Sequence, residues 1–104
     1  MTYYKDNKGK TYRVPVTRSE YDLDEDLFRL SLELPGVSKD GVEILLPDSK
    51  TIRVTGDREE FYFLKVLHFP TDLDPEKIVT SFENGLLEMS VSPVVPQIKK
   101  IAVM

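Results

Sequence analysis

The chain has 104 residues, of which 40% are hydrophobic and 31% are charged, and it contains no cysteine. These values predict one globular domain with a single core and exclude a disordered chain. The lack of cysteine excludes a disulfide framework, a thiolate metal site and a cysteine nucleophile, and it fits the cytoplasm, where we expect the protein. No apolar run approaches the roughly 20 residues of a membrane span, so no membrane partner is expected.

Charge is distributed unevenly between the N-terminal segment and the rest of the chain. Residues 1–18 hold five lysines and arginines against one aspartate, whereas the whole chain carries −4, so the remainder is strongly acidic. This pattern predicts a short polar and basic arm that is solvated. The acidic body would repel phosphate groups, and nucleic acid is therefore not an expected partner.

Strict alternation of apolar and polar residues predicts the first half of the domain to be β-structure. Residues 19–23 form a first strand that ends in an acidic turn at 24–26, and residues 27–34 form a second that Pro35 and Gly36 terminate. Residues 42–46 and 51–55 alternate in the same way on either side of a turn at 47–50. Four residues, 57–60, then connect to the next strand.

Residues 61–69 are the longest strand candidate, and both of its faces are largely apolar. Such a strand is either covered on both sides or exposes a patch to a partner. After a loop at 70–77, strands at 78–83 and 86–91 are joined by Asn84-Gly85, a strong signal for a type I′ hairpin turn. Pro93 and Pro96 bar further pairing, so residues 93–104 are predicted to be a tail. Seven to eight short strands indicate an all-β antiparallel sandwich.

Residues that could carry catalysis are scarce. His68 is the one histidine and lies in a predicted strand, where a hydrogen-bonded or solvent-facing ring is favoured over a general base. The acidic runs 22–26 and 72–74 lack the glycine and closing glutamate of a calcium loop, which favours turn carboxylates over a metal site. We therefore expect that the protein is not an enzyme and binds no cofactor or metal. We expect it to act by binding other molecules.

Four segments, taken in order, resemble the small heat-shock protein (α-crystallin domain) family. They are Leu-Glu-Leu-Pro-Gly-Val at 32–37, Ile-Arg-Val-Thr-Gly-Asp-Arg-Glu at 52–59, the strand at 63–70 with its acidic-proline loop, and Ser-Phe-Glu-Asn-Gly-Leu-Leu at 81–87. The resemblance covers residues 19–92 and implies an immunoglobulin-like sandwich between an arm at 1–18 and a tail at 93–104. It implies an ATP-independent holdase that binds unfolding client proteins.

The tail is similar to the Ile-x-Ile/Val anchor of that family at Ile101 and Val103. Two such side chains point the same way from an extended chain and would fill two sockets on a neighbouring domain. By the resemblance, the groove that receives a client or a tail lies between strands 42–46 and 78–82 and is lined by Ile44, Leu46, Ile78, Thr80 and Phe82. The alternative is that these are ordinary core residues and that the tail packs on its own domain. Residues 14–16 have the anchor spacing too and are a second candidate.

Self-association is expected, as a dimer or a small oligomer. Many members of the family exchange a long loop between partners, but here residues 57–60 reach only about 13 Å, too short to cross to another subunit. The resemblance then implies an edge-to-edge dimer along the strand formed by Phe61, Tyr62, Phe63, Leu64, Lys65 and Val66. The alternative to a holdase is an adaptor or docking domain, like CS-domain co-chaperones or the crystallin-like domains of certain ATPases, which binds a folded partner.

Overall fold

The computed structural model describes residues 2–95 and 101–103, and these form nine strands and two short 3-10 helices. The strands are β1 (Tyr4–Lys5), β2 (Thr11–Arg13), β3 (Thr17–Asp22), β4 (Leu27–Glu33), β5 (Val42–Asp48), β6 (Thr51–Asp57), β7 (Tyr62–His68), β8 (Val79–Glu83) and β9 (Leu86–Val91). The 3-10 helices are Lys39–Gly41 and Pro75–Lys77. The strands predicted from residue 19 onward are thus confirmed, with boundaries that differ by at most two residues.

The strands form two sheets. One has five strands in the order β1-β2-β7-β6-β5, and the other has four in the order β3-β4-β9-β8. Every pair is antiparallel except β2 with β7. The predicted all-β, immunoglobulin-like sandwich is therefore confirmed. No helix in the described parts of the chain is long and apolar enough to cross a membrane.

The core lies between the two sheets and is built by the side chains that the alternation turns inward. Leu32 of β4 and Ile52 of β6 are fully buried, because successive residues of a strand point to opposite faces. Burial of each such side chain contributes about 1.5–3 kcal/mol. The cluster consists of Leu30, Leu32, Leu34, Val37, Ile52, Val54, Phe61, Phe63, Leu73, Leu87, Met89 and Val91.

The turn between β8 and β9 has the conformation that its sequence predicts. Asn84 and Gly85 have φ angles of 50° and 79°, as a type I′ turn requires. Gly85 also touches the end of β4, where its carbonyl accepts the Leu34 N–H at 2.6 Å. A β-carbon at position 85 would lie 3.2 Å from the Cα of Pro35, so glycine is needed for space as well as for φ.

Residues 2–5 and 7–10 of the N-terminal arm are exposed, as a solvated arm requires, but the arm also forms two short strands that were not predicted. Residues of β1 and β2 form a hairpin, and β2 extends the five-stranded sheet by pairing in parallel with β7, Tyr12 opposite Tyr62. The Asp6 carboxylate accepts a 2.8 Å hydrogen bond from the Tyr62 hydroxyl and two from the backbone N–H groups of Lys8 and Lys10. Strands of two and three residues are too short to produce a recognisable alternation.

Cation–π and ring–ring contacts hold this arm against the start of β7. The Arg13 guanidinium lies over the rings of Tyr3, Phe61 and Phe63 at 5.2–5.8 Å from their centroids. On the other face of the sheet, the ring of Tyr12 lies 5.6 Å from that of Tyr62. Phe61 and Tyr62 are consequently buried. The two apolar faces at the start of this strand are thus covered by the chain's own arm rather than by a partner.

Candidate functional site: the flank between β5 and β8

Each flank of the sandwich is bounded by strands from both sheets. On one flank, β7 lies over β3 and β4, because the ring of Phe28 in β4 lies 5.2 Å from that of Phe69. A cleft of about 310 Å³ is lined there by residues from both sheets. The opposite ends of the two sheets are β5 and β8. These two strands therefore bound the other flank, and neither has a second strand partner in the described part of the chain.

The β5 side of this flank is apolar. Ile44 and Leu46 point inward, are half-buried and pack against the core, with Ile44 opposite Val54 of β6. Between them Leu45 points outward and is 44% exposed. The register of β5 shifts between Leu45 and Asp48, next to Pro47, so regular pairing ends there.

The β8 side provides the facing wall. Ile78 directly follows the 3-10 helix Pro75–Lys77. Asp74, the residue before this helix, caps it, because its carboxylate accepts a hydrogen bond from the Glu76 N–H. Ile78 and Phe82 are half-buried against the core. Thr80 lies between them on the same face, opposite Met89, and is exposed. This wall is thus apolar at both ends and polar and accessible in the middle.

The predicted groove residues are therefore brought to one flank. Four of them pack against the buried core cluster, namely Ile44, Leu46, Ile78 and Phe82. The fifth, Thr80, is exposed to solvent. None of the five side chains is titratable, so this flank offers apolar area and unpaired backbone groups rather than reactive ones. An extended chain added as another strand would place alternate side chains against it.

The predicted anchor residues do not pack on this domain. Ile101 is 84% exposed and Val103 is 97% exposed, so these two side chains are not covered by the described part of their own sandwich. Residues 96–100 and Met104, also part of the predicted tail, lie outside the described residues. The first part of that tail is held on the body, because buried Pro93 forms a bridge with Leu73.

The predicted dimer edge needs a correction. Tyr62 and Phe63 pair with β2, and Phe61 is buried beneath Tyr3, so these three positions do not form an open edge. Only Leu64, Lys65 and Val66 of the predicted set have no strand on that side in the described residues. The predicted edge is shortened because β2 pairs with the start of β7, and the strands of the arm are too short to be recognised from alternation in the sequence.

Residues 14–16, the second anchor candidate, form the crossing from β2 to β3. Pro15 is buried, and the carbonyl of Val16 accepts the Glu33 N–H at 2.9 Å. The segment is thus fixed to its own domain, although the side chains of Val14 and Val16 are 46% and 61% exposed.

The polar residues that were considered for catalysis or metal binding have structural partners. His68 is exposed, with Nδ1 3.4 Å from the Thr51 hydroxyl. The Asp22 carboxylate accepts the N–H groups of Asp24 and Glu25 and pairs with Arg29 at 3.1 Å, and these contacts, the Glu25 N–H foremost, hold its pKa below the usual value. It therefore caps the turn, as predicted. The described residues contain no group of three or more side chains suited to a metal ion.

Sequence reasoning missed the contact that joins the arm to β7. The hydrogen bond from the Tyr62 hydroxyl lowers the pKa of Asp6. The pKa of Tyr62 is raised, mainly by burial and secondly by its hydrogen bond to Asp6. The composition of the arm could have indicated this contact. A solvated segment rarely contains as many tyrosines as this one, which has Tyr3, Tyr4 and Tyr12. Aromatic rings in such a segment indicate a docking role.

An immunoglobulin-like sandwich with an apolar flank between two outer strands is the architecture of the crystallin class of domains. The sequence profile of the Hsp20/alpha crystallin family matches residues 20–104. The chain is 24% identical to small heat shock protein C4 of Rickettsia felis over 106 aligned positions, which cover 86% of this chain and 61% of that protein. The chain belongs to the Hsp20/alpha crystallin family.

Solved structures share the fold. Heat shock protein 16.0 from Schizosaccharomyces pombe superposes with a TM-score of 0.70 at 22% identity, covering 88% of this chain and 97% of that one. A small heat-shock protein from Xylella fastidiosa, described as having a distinct high order structure, gives 0.65 at 18% identity with the same coverage. The family profile and these structures agree on the fold.

Proposed function

We propose that this protein is an ATP-independent holdase that binds exposed apolar segments of unfolding proteins along the flank between β5 and β8. The observation that carries the proposal is the set of four half-buried apolar side chains, two from β5, one from β8 and one from the residue just before β8, beside strand edges that have no partner in the described residues. Unfolding clients expose extended apolar segments of the kind that such a flank accommodates.

Binding of this kind needs no nucleotide or metal, and we propose no catalytic step. Affinity comes from apolar area and from backbone pairing with β5 or β8, neither of which reads a specific client sequence. Burying one aliphatic client side chain completely contributes about 1.5–3 kcal/mol, so several contacts are required for capture. Low specificity is the expected consequence. The lack of cysteine supports a cytoplasmic site of action.

The same flank is the proposed receptor for the tail of a neighbouring copy. Ile101 and Val103 are almost fully exposed and two positions apart, so both would turn toward the flank from one extended strand. A tail in this place would exclude a client from it. Assembly and client capture would then compete for one surface, and loss of the tail contact would lower the oligomer mass.

Thr80 allows a test that leaves the core intact. Thr80→Lys places a charged side chain in the middle of the β8 wall, and the exposed Ser81→Lys places the same charge on the outward face of the same strand. We expect the first variant to lose most of its suppression of light scattering by a heat-aggregating client. The second variant should keep the activity of the parent.

The result that would contradict the proposal is equal suppression by the two variants, provided that both show the parent's thermal unfolding. The parent protein must also suppress scattering at a several-fold molar excess over the client. Its failure to do so would favour an adaptor domain that binds a folded partner. The closed turn at 58–61, where the Arg58 N–H donates to the Phe61 carbonyl at 2.9 Å, is compatible with that alternative.

A further inference from the structure

β3 is one of the two edge strands of the four-stranded sheet, and its pairing is regular. β3 pairs with β4 along its whole length without a register shift and has no neighbour on its other side in residues 2–95 and 101–103. It contains no proline and no bulge, two of the devices that block edge-to-edge contact. By contrast, β5 carries Pro47 and a register shift, and β7 is partly covered by β2.

The hydrogen bonds show which residues of β3 face the open side. The Val16 carbonyl accepts the Glu33 N–H at the start of the β3–β4 ladder. Hydrogen-bonded positions alternate along an antiparallel pair, so Arg18 and Glu20 direct their backbone groups to β4. Thr17, Ser19 and Tyr21 consequently direct their backbone N–H and C=O groups away from β4, toward the open side.

The side chains of this edge are self-complementary in charge. Arg18 and Glu20 both lie on the outer face of the sheet, opposite Ser31 and Arg29 respectively. Both are exposed, and neither makes an ion pair in the described structure, where the one salt bridge joins Arg29 to Asp22. Two copies of the strand that run antiparallel about Ser19 would set Arg18 of each copy directly opposite Glu20 of the other.

We propose that the occupant of this edge is a second copy of the chain, which pairs β3 to β3 across a two-fold axis at Ser19. The two Ser19 residues form the central hydrogen-bonded pair, and Thr17 pairs with Tyr21 of the partner copy on either side. Arg18 and Glu20 then face each other at the closer, non-hydrogen-bonded positions, where opposite charges stabilise a sheet. The two four-stranded sheets become one continuous sheet.

Charge reversal of the full-length protein tests this pairing, with the mass read by native mass spectrometry and sedimentation velocity. Arg18→Glu sets Glu against Glu twice, and Glu20→Arg sets Arg against Arg twice, so each variant alone should dissociate about tenfold more readily than the parent. An equimolar mixture should form the heterodimer in preference to either homodimer, because every cross-strand pair in it is then attractive.

Ser19→Pro provides the control on the backbone. Its N–H faces away from β4, so proline is compatible with the fold but removes the central hydrogen bonds of the dimer. We expect a folded protein of lower mass that has lost the β3–β3 contact, with unchanged far-UV circular dichroism. Dimers that survive in both charge variants, or a mixture that forms no heterodimer, would overturn the proposal. Loss of the dimer on removing Ile101 and Val103 alone, with the β3 variants unaffected, would do so as well.

Discussion

The turn between β8 and β9 offers a direct measure of how tightly this end of the sandwich is packed. Gly85 and Gly36 have nearly equal φ angles of 79° and 80°, so replacing either by alanine forces a side chain into the left-handed region. That change costs about 1–2 kcal/mol by itself. What differs between the two sites is the atom that the new β-carbon meets.

At position 85 the neighbours are backbone atoms, the Cα of Pro35 at 3.2 Å and the Leu34 carbonyl oxygen at 3.3 Å. At position 36 the neighbour is the guanidinium of Arg58 at 2.8 Å, the far end of a flexible side chain that can move away. We therefore expect Gly36→Ala to lower the free energy of unfolding by about 1–2 kcal/mol. Gly85→Ala should lower it by about 1–3 kcal/mol more, since the backbone must shift.

Urea unfolding followed by circular dichroism measures both effects, and an unchanged m-value in each variant would show that the same amount of surface is exposed. The comparison uses Gly36→Ala as the control, because it has the same φ without the backbone contact. If Gly85→Ala proves no more destabilising than Gly36→Ala, the close packing of the β8–β9 turn against the end of β4 is not a source of stability.

Three further predictions concern the arm and the tail. Arg13→Ala should lower the free energy of unfolding by about 1–2 kcal/mol, because the guanidinium covers three aromatic rings; an unchanged urea midpoint would contradict this. The pKa of Asp6 lies below its ordinary value of 3.8, so its contact with Tyr62 stabilises the folded state above that pH and is lost as the pH falls through the lowered pKa. The NMR signals of the Tyr62 ring should therefore shift as the pH falls through the lowered pKa of Asp6. In the Asp6→Asn variant they should not shift. Ile101→Ala combined with Val103→Ala should lower the oligomer mass in sedimentation without changing thermal unfolding, and retention of the parent's mass would exclude the tail as an anchor.

The outer strands of this protein differ in how far their edges are shielded from pairing with another chain. An unprotected edge invites pairing with other chains, so folded proteins normally shield it. Here β2 covers the first part of β7, and a proline with a register shift interrupts β5. β3 and β8 have neither device in the described structure. We assign the first to a copy of the chain and the second to the client flank.

The sequence by itself determined the body of the fold. Period-two alternation located the strands from residue 19 to residue 91, because inward and outward positions of a strand differ in burial. Asn84-Gly85 predicted the hairpin turn, because both residues tolerate positive φ. Alternation placed the proposed groove residues of each strand on one face, but it was the family resemblance that assigned them to a groove. The proposed roles of those positions came from the family resemblance and await the experiments above.

Only the tertiary structure decided what happens to the arm and to the edges. The arm strands contribute two and three residues, too few for a periodic pattern, and they are held by contacts with residues about 50 positions away, such as Asp6 with Tyr62. Which edges stay open depends on how the two sheets are ordered and on whether a distant segment returns to cover them. Those contacts are non-local, and a pattern that compares neighbours along the chain contains no information about them.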